Sequence, residues 1–487
     1  MQIRLKNIGI VKDSTIVLDG LTVITGKNNS GKTTVGKTLY SLFDAVTNIQ
    51  RKAERDKYIY VMRHLNNLDD TLEFLRYFRS VISTDDPDFL ADYPTLKAVV
   101  SEEYRQEISP ETMVELVYKL IDELNGLDTS SFANQFELRR NSKIFRIKLP
   151  DTQKDSLKAS FDKQKAEAIA GLEELISDIN KDPELIDYAR ESINQTLQIE
   201  FLNQIQPVKG QDGESKVELW DDDKVYFHFL VEDNHVVDDG EPVFTISPCK
   251  KVYLVDDPFI LDDRLPPRYS RYFRGRIVAD QESFFNPGRI VSHRDKLKSV
   301  LRNGKTLTVF EQTVLSDALK ETKSKIDSIL PGTFEFSSEG EYYIQDGLKL
   351  RISNLATGSK MFSIIKVLLN NGEIDNTTML ILDEPEAHLH PKWQNAFAEI
   401  IVLLVKELNV NVLLTTHSPN FMLAVDAYMR KYKIAEKTNF YQTDVLEDGF
   451  VQYHCVNDDM GLIYQDFLQY LSEVKMLRNK YLVDIEE

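Results

Sequence analysis

Between residues 26 and 33 the chain reads Gly26-Lys27-Asn28-Asn29-Ser30-Gly31-Lys32-Thr33, the spacing G-x-x-x-x-G-K-[ST]. Glycines at both ends let such a loop turn its backbone N–H groups inward around phosphate oxygens. The lysine adds a positive charge for the β- and γ-phosphates, and the threonine hydroxyl suits Mg²⁺. Gly26, Asn28, Asn29, Ser30, Gly31, Lys32, Thr33 and Thr34 are therefore the candidate nucleotide-binding residues, with Lys32 also catalytic and Thr33 a metal ligand. Far downstream, Met379-Leu380-Ile381-Leu382 runs into Asp383-Glu384-Pro385. An apolar strand ending in two carboxylates puts Asp383 where it can hold Mg²⁺ and Glu384 where it can polarise an attacking water. A second apolar run, Leu413-Leu414-Thr415-Thr416-His417-Ser418-Pro419, ends in a histidine. The C-terminal end of a strand is where ligands sit in open α/β sheets, which makes His417 a third catalytic candidate. Asn354-Leu355-Ala356-Thr357-Gly358-Ser359-Lys360 precedes an apolar helical run, Met361 to Leu369. A turn at a helix N-terminus presents free N–H groups to an anion, so Thr357, Gly358 and Ser359 are candidate γ-phosphate contacts, although an ordinary helix cap reads the same way.

These residues need a sheet to hold them. Ile3 to Ile8, Ser14 to Leu18 and Leu21 to Thr25 read as strands, and a helix is expected from Lys32 onward. Leu380 to Leu382 and Val412 to Leu414 read as buried strands of the same sheet, so both ends of the chain contribute to one domain. Between them, Leu72, Phe74, Leu75, Phe78 and Val81 recur at helical spacing. So do Leu157, Phe161, Ala168, Leu172, Leu175, Ile176 and Ile179. Strand-like, acidic sequence follows from Ser215 to Val255, with turns expected at Asp221 to Asp223, Glu232-Asp233 and Asp238-Asp239. The expected organisation is an α/β fold with domain segments 1–50 (phosphate loop), 51–202 (helical insertion), 203–260 (β-rich), 261–310 (basic), 311–460 (the remaining motifs) and 461–487 (C-terminal helix).

Composition limits the partners. The 487 residues are 42% hydrophobic and 28% charged, enough for a large core, and the formal charge of -19 argues against wholesale coating of nucleic acid or anionic membrane. Cys249 and Cys455 are too few for a disulfide framework, no leader-like apolar segment starts the chain, and a cytoplasmic location is expected. One local basic island, Arg264 to Lys305, holds eleven Lys and Arg residues. Arg268, Arg271, Arg274, Arg276, Arg289, Arg294, Lys296, Lys298 and Arg302 belong to it, with Tyr269, Tyr272 and Phe273 interleaved. It could follow a nucleic-acid backbone, take an acidic protein, meet an acidic face of a neighbouring copy, or be a solvated face. His388 and His390 lack further ligands nearby and read as structural.

The order of these motifs, with Asp383-Glu384-Pro385-Glu386-Ala387-His388-Leu389-His390-Pro391 in the middle, resembles the ABC-type ATPases of the SMC, RecF and OLD group. Within it the chain is similar to the stand-alone ATPase subunits of bacterial anti-phage systems, PARIS most of all and Septu next. The resemblance implies an ABC-type ATPase head that binds ATP and Mg²⁺. It makes Lys32 and Thr33 Walker A residues, Asp383 and Glu384 Walker B residues, His417 the switch histidine, and Leu355 to Ser359 a signature that meets ATP bound by a neighbouring subunit. Gln204, where a helix returns to the sheet, is the choice for the nucleotide- and metal-contacting glutamine, with Gln206 and Gln281 as alternatives. Ala356 stands where the usual signature has a serine, and unless Thr357 or Ser359 compensates, turnover is slow. The implied partners are a second copy, joined by sandwiched ATP in a larger homo-oligomer, a toxic effector or nuclease supplied in trans, and a phage protein as trigger. The alternative is a RecF-like DNA-repair ATPase that clamps DNA on binding ATP. The amphipathic tail, Leu462 to Tyr481, carries Ile463, Phe467, Tyr470, Leu471, Val474 and Leu477 on one stripe; it could dock a partner, but is expected to pack on the core.

Overall fold

The computed structural model describes residues 1–71, 92–100, 110–130, 151–181, 183–207, 213–237, 243–244, 247–263, 292–302, 307–337 and 340–483. The Leu72 to Val81 stripe, Asp238-Asp239, Gln281 and the Arg264 to Arg289 part of the basic island lie outside them. The chain divides into two compact units, residues 1–49 with 186–487, and residues 50–185.

The first unit is the α/β body expected from the two chain ends. Its N-terminal strands are β1 (Gln2–Ile8), β2 (Val11–Val17) and β3 (Leu21–Thr25), followed by helix α1 (Lys32–Val46). The second unit holds most of α2 (Ile49–Thr71), then α3 (Pro94–Val100), α4 (Pro110–Gly126) and α5 (Asp151–Ile179). The body resumes with α6 (Leu185–Glu200), which the expected insertion had included, and with β4 (Ser215–Asp221), β5 (Lys224–Glu232), β6 (His235–Val237), β7 (Val243–Phe244) and β8 (Lys251–Val255). After α7 (His293–Arg302), α8 (Val309–Ala318) and α9 (Lys320–Ile329) come β9 (Thr333–Ser337), β10 (Gly340–Gln345) and β11 (Leu348–Arg351), a separate three-stranded antiparallel sheet. The remaining elements are α10 (Thr357–Asn370), β12 (Thr378–Asp383), α11 (Pro391–Leu408), β13 (Asn411–Thr416), α12 (Pro419–Lys431), β14 (Thr438–Val445), β15 (Val451–Cys455) and α13 (Gly461–Val483).

The main sheet runs β6-β5-β4-β1-β2-β15-β14-β3-β13-β12-β8. Its β14-β3-β13-β12-β8 portion is parallel, and β6 through β2 is antiparallel. Parallel strands are covered on both faces, which is why they read as unbroken apolar runs. Leu380, Leu382, Val412 and Leu414 enter the core with α10, α11 and α12, while Met379, Ile381 and Leu413 enter the opposite core with α1 and α6. The register pairs Asp383 with Thr415 and Thr416 with Thr25. The C-terminal ends of β3, β12 and β13 therefore finish level, and the three loops that carry the motifs leave the sheet at one edge.

In the helical unit, the stripe read from the sequence is the core. Phe161, Ala168, Leu172, Leu175 and Ile176 of α5 are buried with Val117, Leu120 and Leu124 of α4, and Leu157 and Ile179 pack at the margin. The two carboxylate oxygens of Glu123 accept the otherwise unpaired N–H groups of Thr95 and Leu96 at the start of α3. No helix among the described residues is long and apolar enough to cross a membrane. On α13, Val474 and Leu477 are exposed, not packed on the core as expected. Residues 472–481 are exposed on every side, and the side chains of Ile463, Phe467, Tyr470 and Leu471 lie outside those described.

Candidate functional site

A cleft of about 680 Å³ opens at the level strand ends, lined by Asn28 through Thr34, Asp383 and Glu384, with Glu200, Asp256 and His388 on its walls. The loop takes its shape from two left-handed residues, Asn29 at φ 62° and Gly31 at φ 72°. Asparagine tolerates that region, and glycine enters it without a Cβ clash. Helix α1 starts directly after Gly31, so its free N–H groups and positive dipole end face the cleft.

Lys32 is 5% exposed, and its ammonium donates to the carbonyls of Gly26 at 3.0 Å and Lys27 at 2.8 Å. It also lies 3.3 Å from Glu384 Oε1. Thr33 Oγ1 donates to Asp383 Oδ2 at 2.7 Å, and Thr415 Oγ1 donates to Asp383 Oδ1. Glu384 itself adopts φ 48°, a left-handed conformation rare for a side chain of its size, and its N–H is held by the Thr415 hydroxyl at 3.0 Å. Backbone strain of this kind costs on the order of 1–3 kcal/mol and persists where surrounding structure enforces it, commonly at functional sites. His417 Nδ1 is 3.1 Å from Glu384 Oε2, an ion-pair distance, but its orientation makes no hydrogen bond there. The two ends of the chain thus bring Lys32, Thr33, Asp383, Glu384 and His417 together.

The residues present fit a magnesium nucleotide. Mg²⁺ takes hard oxygen donors, and a hydroxyl and a carboxylate already paired across the cleft are such donors. Thr33 and Asp383 would hold the ion, which supplies charge neutralisation for phosphate oxygens.

Two residues that the sequence did not single out brace the loop from β14 and β15. Thr443 Oγ1 donates to Ser30 Oγ at 2.8 Å, and the buried Tyr453 hydroxyl donates to the Gly31 carbonyl at 2.7 Å. Burial pushes the Tyr453 phenol well above its ordinary value, with the Asp383 charge adding to the effect. No motif spacing points to either. On the cleft wall, His293 at the start of α7 donates from Nδ1 to Glu200 Oε2 at 2.5 Å, and its Nε2 lies at ion-pair distance from Asp256 Oδ2, 3.1 Å, without a hydrogen bond. Burial alone would lower its pKa, but the two carboxylates raise it to about 9.

Thr357, Gly358 and Ser359 form the first turn of α10 and do not line the cleft. A Cβ on Gly358 would stand 2.9 Å from the Trp393 ring, so close packing requires glycine there. Gln204 is exposed and outside the cleft lining, where Glu200, Phe201 and Leu202 stand instead. Gln206 is occupied by Ser215, Val231 and Asn234. His390 caps α11 through the Lys392 N–H, and the His388 ring packs edge-on to Phe259. The described part of the basic island is neutralised internally: Arg294 pairs with Asp256 and Asp257, Lys296 with Asp44, Lys298 with Asp263 and Arg302 with Glu341.

Among solved structures, the chain is similar to the SMC head domain from Thermotoga maritima at 10% identity and a TM-score of 0.33, over 93% of this chain and 98% of that one. It is similar to an SMC head domain with an extended coiled coil, bound to the C-terminal domain of ScpA, from Pyrococcus furiosus, at 10% identity and a TM-score of 0.30, over 97% and 98%. A third likeness is to an SMC head domain with a coiled coil and joint from Pyrococcus yayanosii, at 11% identity and a TM-score of 0.29, over 93% and 96%. A family model described as "AAA domain, putative AbiEii toxin, Type IV TA system" matches residues 21–424, a span that contains the phosphate loop, the carboxylate pair and His417, and the chain belongs to that family.

Proposed function

We propose that this chain binds and hydrolyses ATP with Mg²⁺, and that it serves as the sensor and scaffold subunit of an anti-phage defence complex, controlling a toxic effector supplied in trans. The observation that carries the ATPase reading is the convergence of Lys32, Thr33, Asp383 and Glu384 on one cleft from distant parts of the chain, with His417 beside Glu384. Lys32 binds phosphate oxygens after exchanging its loop carbonyls for them. Glu384 polarises the attacking water, and His417 steadies Glu384 and the terminal phosphate. The first turn of α10 lies outside the lining of its own cleft, which suits contact with nucleotide held by a second copy. The toxin–antitoxin wording of the family description supports the defence setting.

The test is affinity purification of tagged protein expressed with its flanking genes, comparing wild type with Glu384→Gln, alongside ATPase assays with and without DNA. A stoichiometric effector from the neighbouring genes supports the reading. Strong, salt-sensitive stimulation by DNA with no such partner moves it to a DNA-clamping ATPase.

A further inference from the structure

Glu386 lies two residues beyond Glu384 and is 1% exposed. It lies outside the cleft lining. Its Oε1 accepts from the Thr416 hydroxyl, and Thr416 directly precedes His417. The same hydroxyl oxygen accepts the Ser418 N–H at 3.0 Å, so Thr416 ties the residues on both sides of His417 to Glu386. Gln394 of α11 closes a ring: its Nε2 donates to the Glu386 carbonyl at 3.4 Å, and its Oε1 accepts from Ser418 Oγ at 3.4 Å. The second carboxyl oxygen, Oε2, is buried and has no hydrogen-bond partner among the described residues. A buried acid left half-satisfied is costly and stays in a fold only where other demands hold it.

We propose that Glu386 is a positioning residue for hydrolysis, fixing the loop that carries His417 against Glu384 through its bond to Thr416. This rests on the ATPase reading above. The connection is short: Glu384 and Glu386 share one turn, Thr416 and His417 are adjacent, and the Thr416–Glu386 bond joins the two loops just beyond the paired strand ends. Burial raises the Glu386 carboxyl above the ordinary carboxylate range, with the Thr416 hydroxyl partly offsetting it, and the bond to Thr416 asks Glu386 only for an acceptor oxygen. An amide supplies that acceptor.

The experiment compares Glu386→Ala, Glu386→Gln and Thr416→Val in the full chain, with steady-state ATPase kinetics, binding of a fluorescent ATP analogue, and thermal melting. Glu386→Ala and Thr416→Val are expected to lower kcat by about tenfold or more with KM and analogue affinity within about twofold, the pattern of a lost transition-state alignment. Glu386→Gln is expected to keep kcat within about threefold of wild type, because its carbonyl still accepts from Thr416. Wild-type kcat in either truncating variant overturns the proposal. So does a Glu386→Gln defect equal to that of Thr416→Val, which decides the matter even if Glu386→Ala does not fold. If wild type shows no turnover that Glu384→Gln removes, the ATPase reading fails first, and that result is distinct from both.

Discussion

Thr33 Oγ1 donates to Asp383 Oδ2 at 2.7 Å, a bond between residues 350 positions apart. Thr415 occupies the other oxygen of Asp383, so the carboxylate is oriented before any ligand arrives. Preorganised oxygen donors lower the reorganisation needed to take up a metal nucleotide. Asp383→Asn keeps the shape and removes the charge. We expect it to weaken Mg-ATP binding by about 10- to 100-fold, the range for a lost charged contact, with little change for nucleotide in EDTA. Calorimetric titration with and without Mg²⁺ measures both, and equal losses in the two conditions would exclude Asp383 as the metal-holding residue.

Glu384 sits between the Lys32 ammonium and the His417 ring. A glutamine there keeps the volume and cannot accept a proton from water. Turnover should fall by about 10²- to 10⁴-fold, the usual worth of a general base, while ATP affinity is retained or improved. Single-turnover hydrolysis with a parallel binding titration separates the two effects. Persistent turnover would assign water activation elsewhere.

The sequence exposed those parts of the site that are local. A loop at residues 26–33 and a strand ending in Asp383-Glu384 carry their chemistry within a few positions, and the apolar runs before them announce buried strands on their own. The bracing contacts have no such local sign. Thr443 meets Ser30 across 413 positions and Tyr453 meets Gly31 across 422, because sheet order places β14 beside β3 and β15 between β14 and β2, which no spacing encodes. The return of α6 to the sheet was legible, but the phase of its last turn was not. Residues 200–202 line the cleft and Gln204 does not, because the helix ends at Glu200 and the left-handed Leu202 and Asn203 turn the chain out of it. Charge counting also misleads for Arg294, Lys296, Lys298 and Arg302, since it sees four cations and not the carboxylates folded onto them.

The Tyr453 brace gives a prediction of its own. Tyr453→Phe removes only the hydroxyl that holds the Gly31 carbonyl. The expected loss of stability is about 1 kcal/mol, a typical net hydrogen bond, with KM for ATP rising a few-fold as the loop loosens and kcat nearly unchanged. Urea melts and steady-state kinetics check the two parts. An unaltered KM would show that the loop keeps its shape without the tyrosine.

His293 makes stability depend on pH in the alkaline direction. Its folded pKa is about 9 against 6.5 for the free side chain. Below pH 6.5 both states carry the proton and the Glu200 and Asp256 pairs contribute fully. As pH rises toward 9 the unfolded chain sheds its proton first, and the contribution falls, fully lost above about 9. The difference in unfolding free energy between wild type and His293→Gln should be on the order of 2–3 kcal/mol at pH 6 and much smaller at pH 10. A constant difference across that range would mean that His293 is held neutral.

Glu399 works in the opposite direction. This 5% exposed carboxylate of α11 accepts from Lys431 at 2.7 Å and Tyr432 at 2.8 Å and pairs with Lys325 of α9. Burial alone would raise its pKa, but the bonds to Lys325, Lys431 and Tyr432 lower it to about 2 from 4.5. A depressed folded pKa means that the contribution is present above about pH 4.5, where both states are ionised, and disappears as pH falls through about 2. Glu399→Gln also leaves two ammonium groups beside a neutral amide. At pH 7 it should cost on the order of 1–3 kcal/mol, the worth of the lost charge-assisted bonds to the buried carboxylate, while the two solvent-accessible ammonium groups return to water. Between pH 4.5 and the acid limit of folding, the gap between wild type and variant should narrow, because the unfolded chain's carboxyl takes up a proton there while the folded one stays ionised. Urea denaturation at pH 7, 5 and 3.5 measures that narrowing. A gap that holds constant down to pH 3.5 would place the stabilisation in packing of the Glu399 stem and not in its charge.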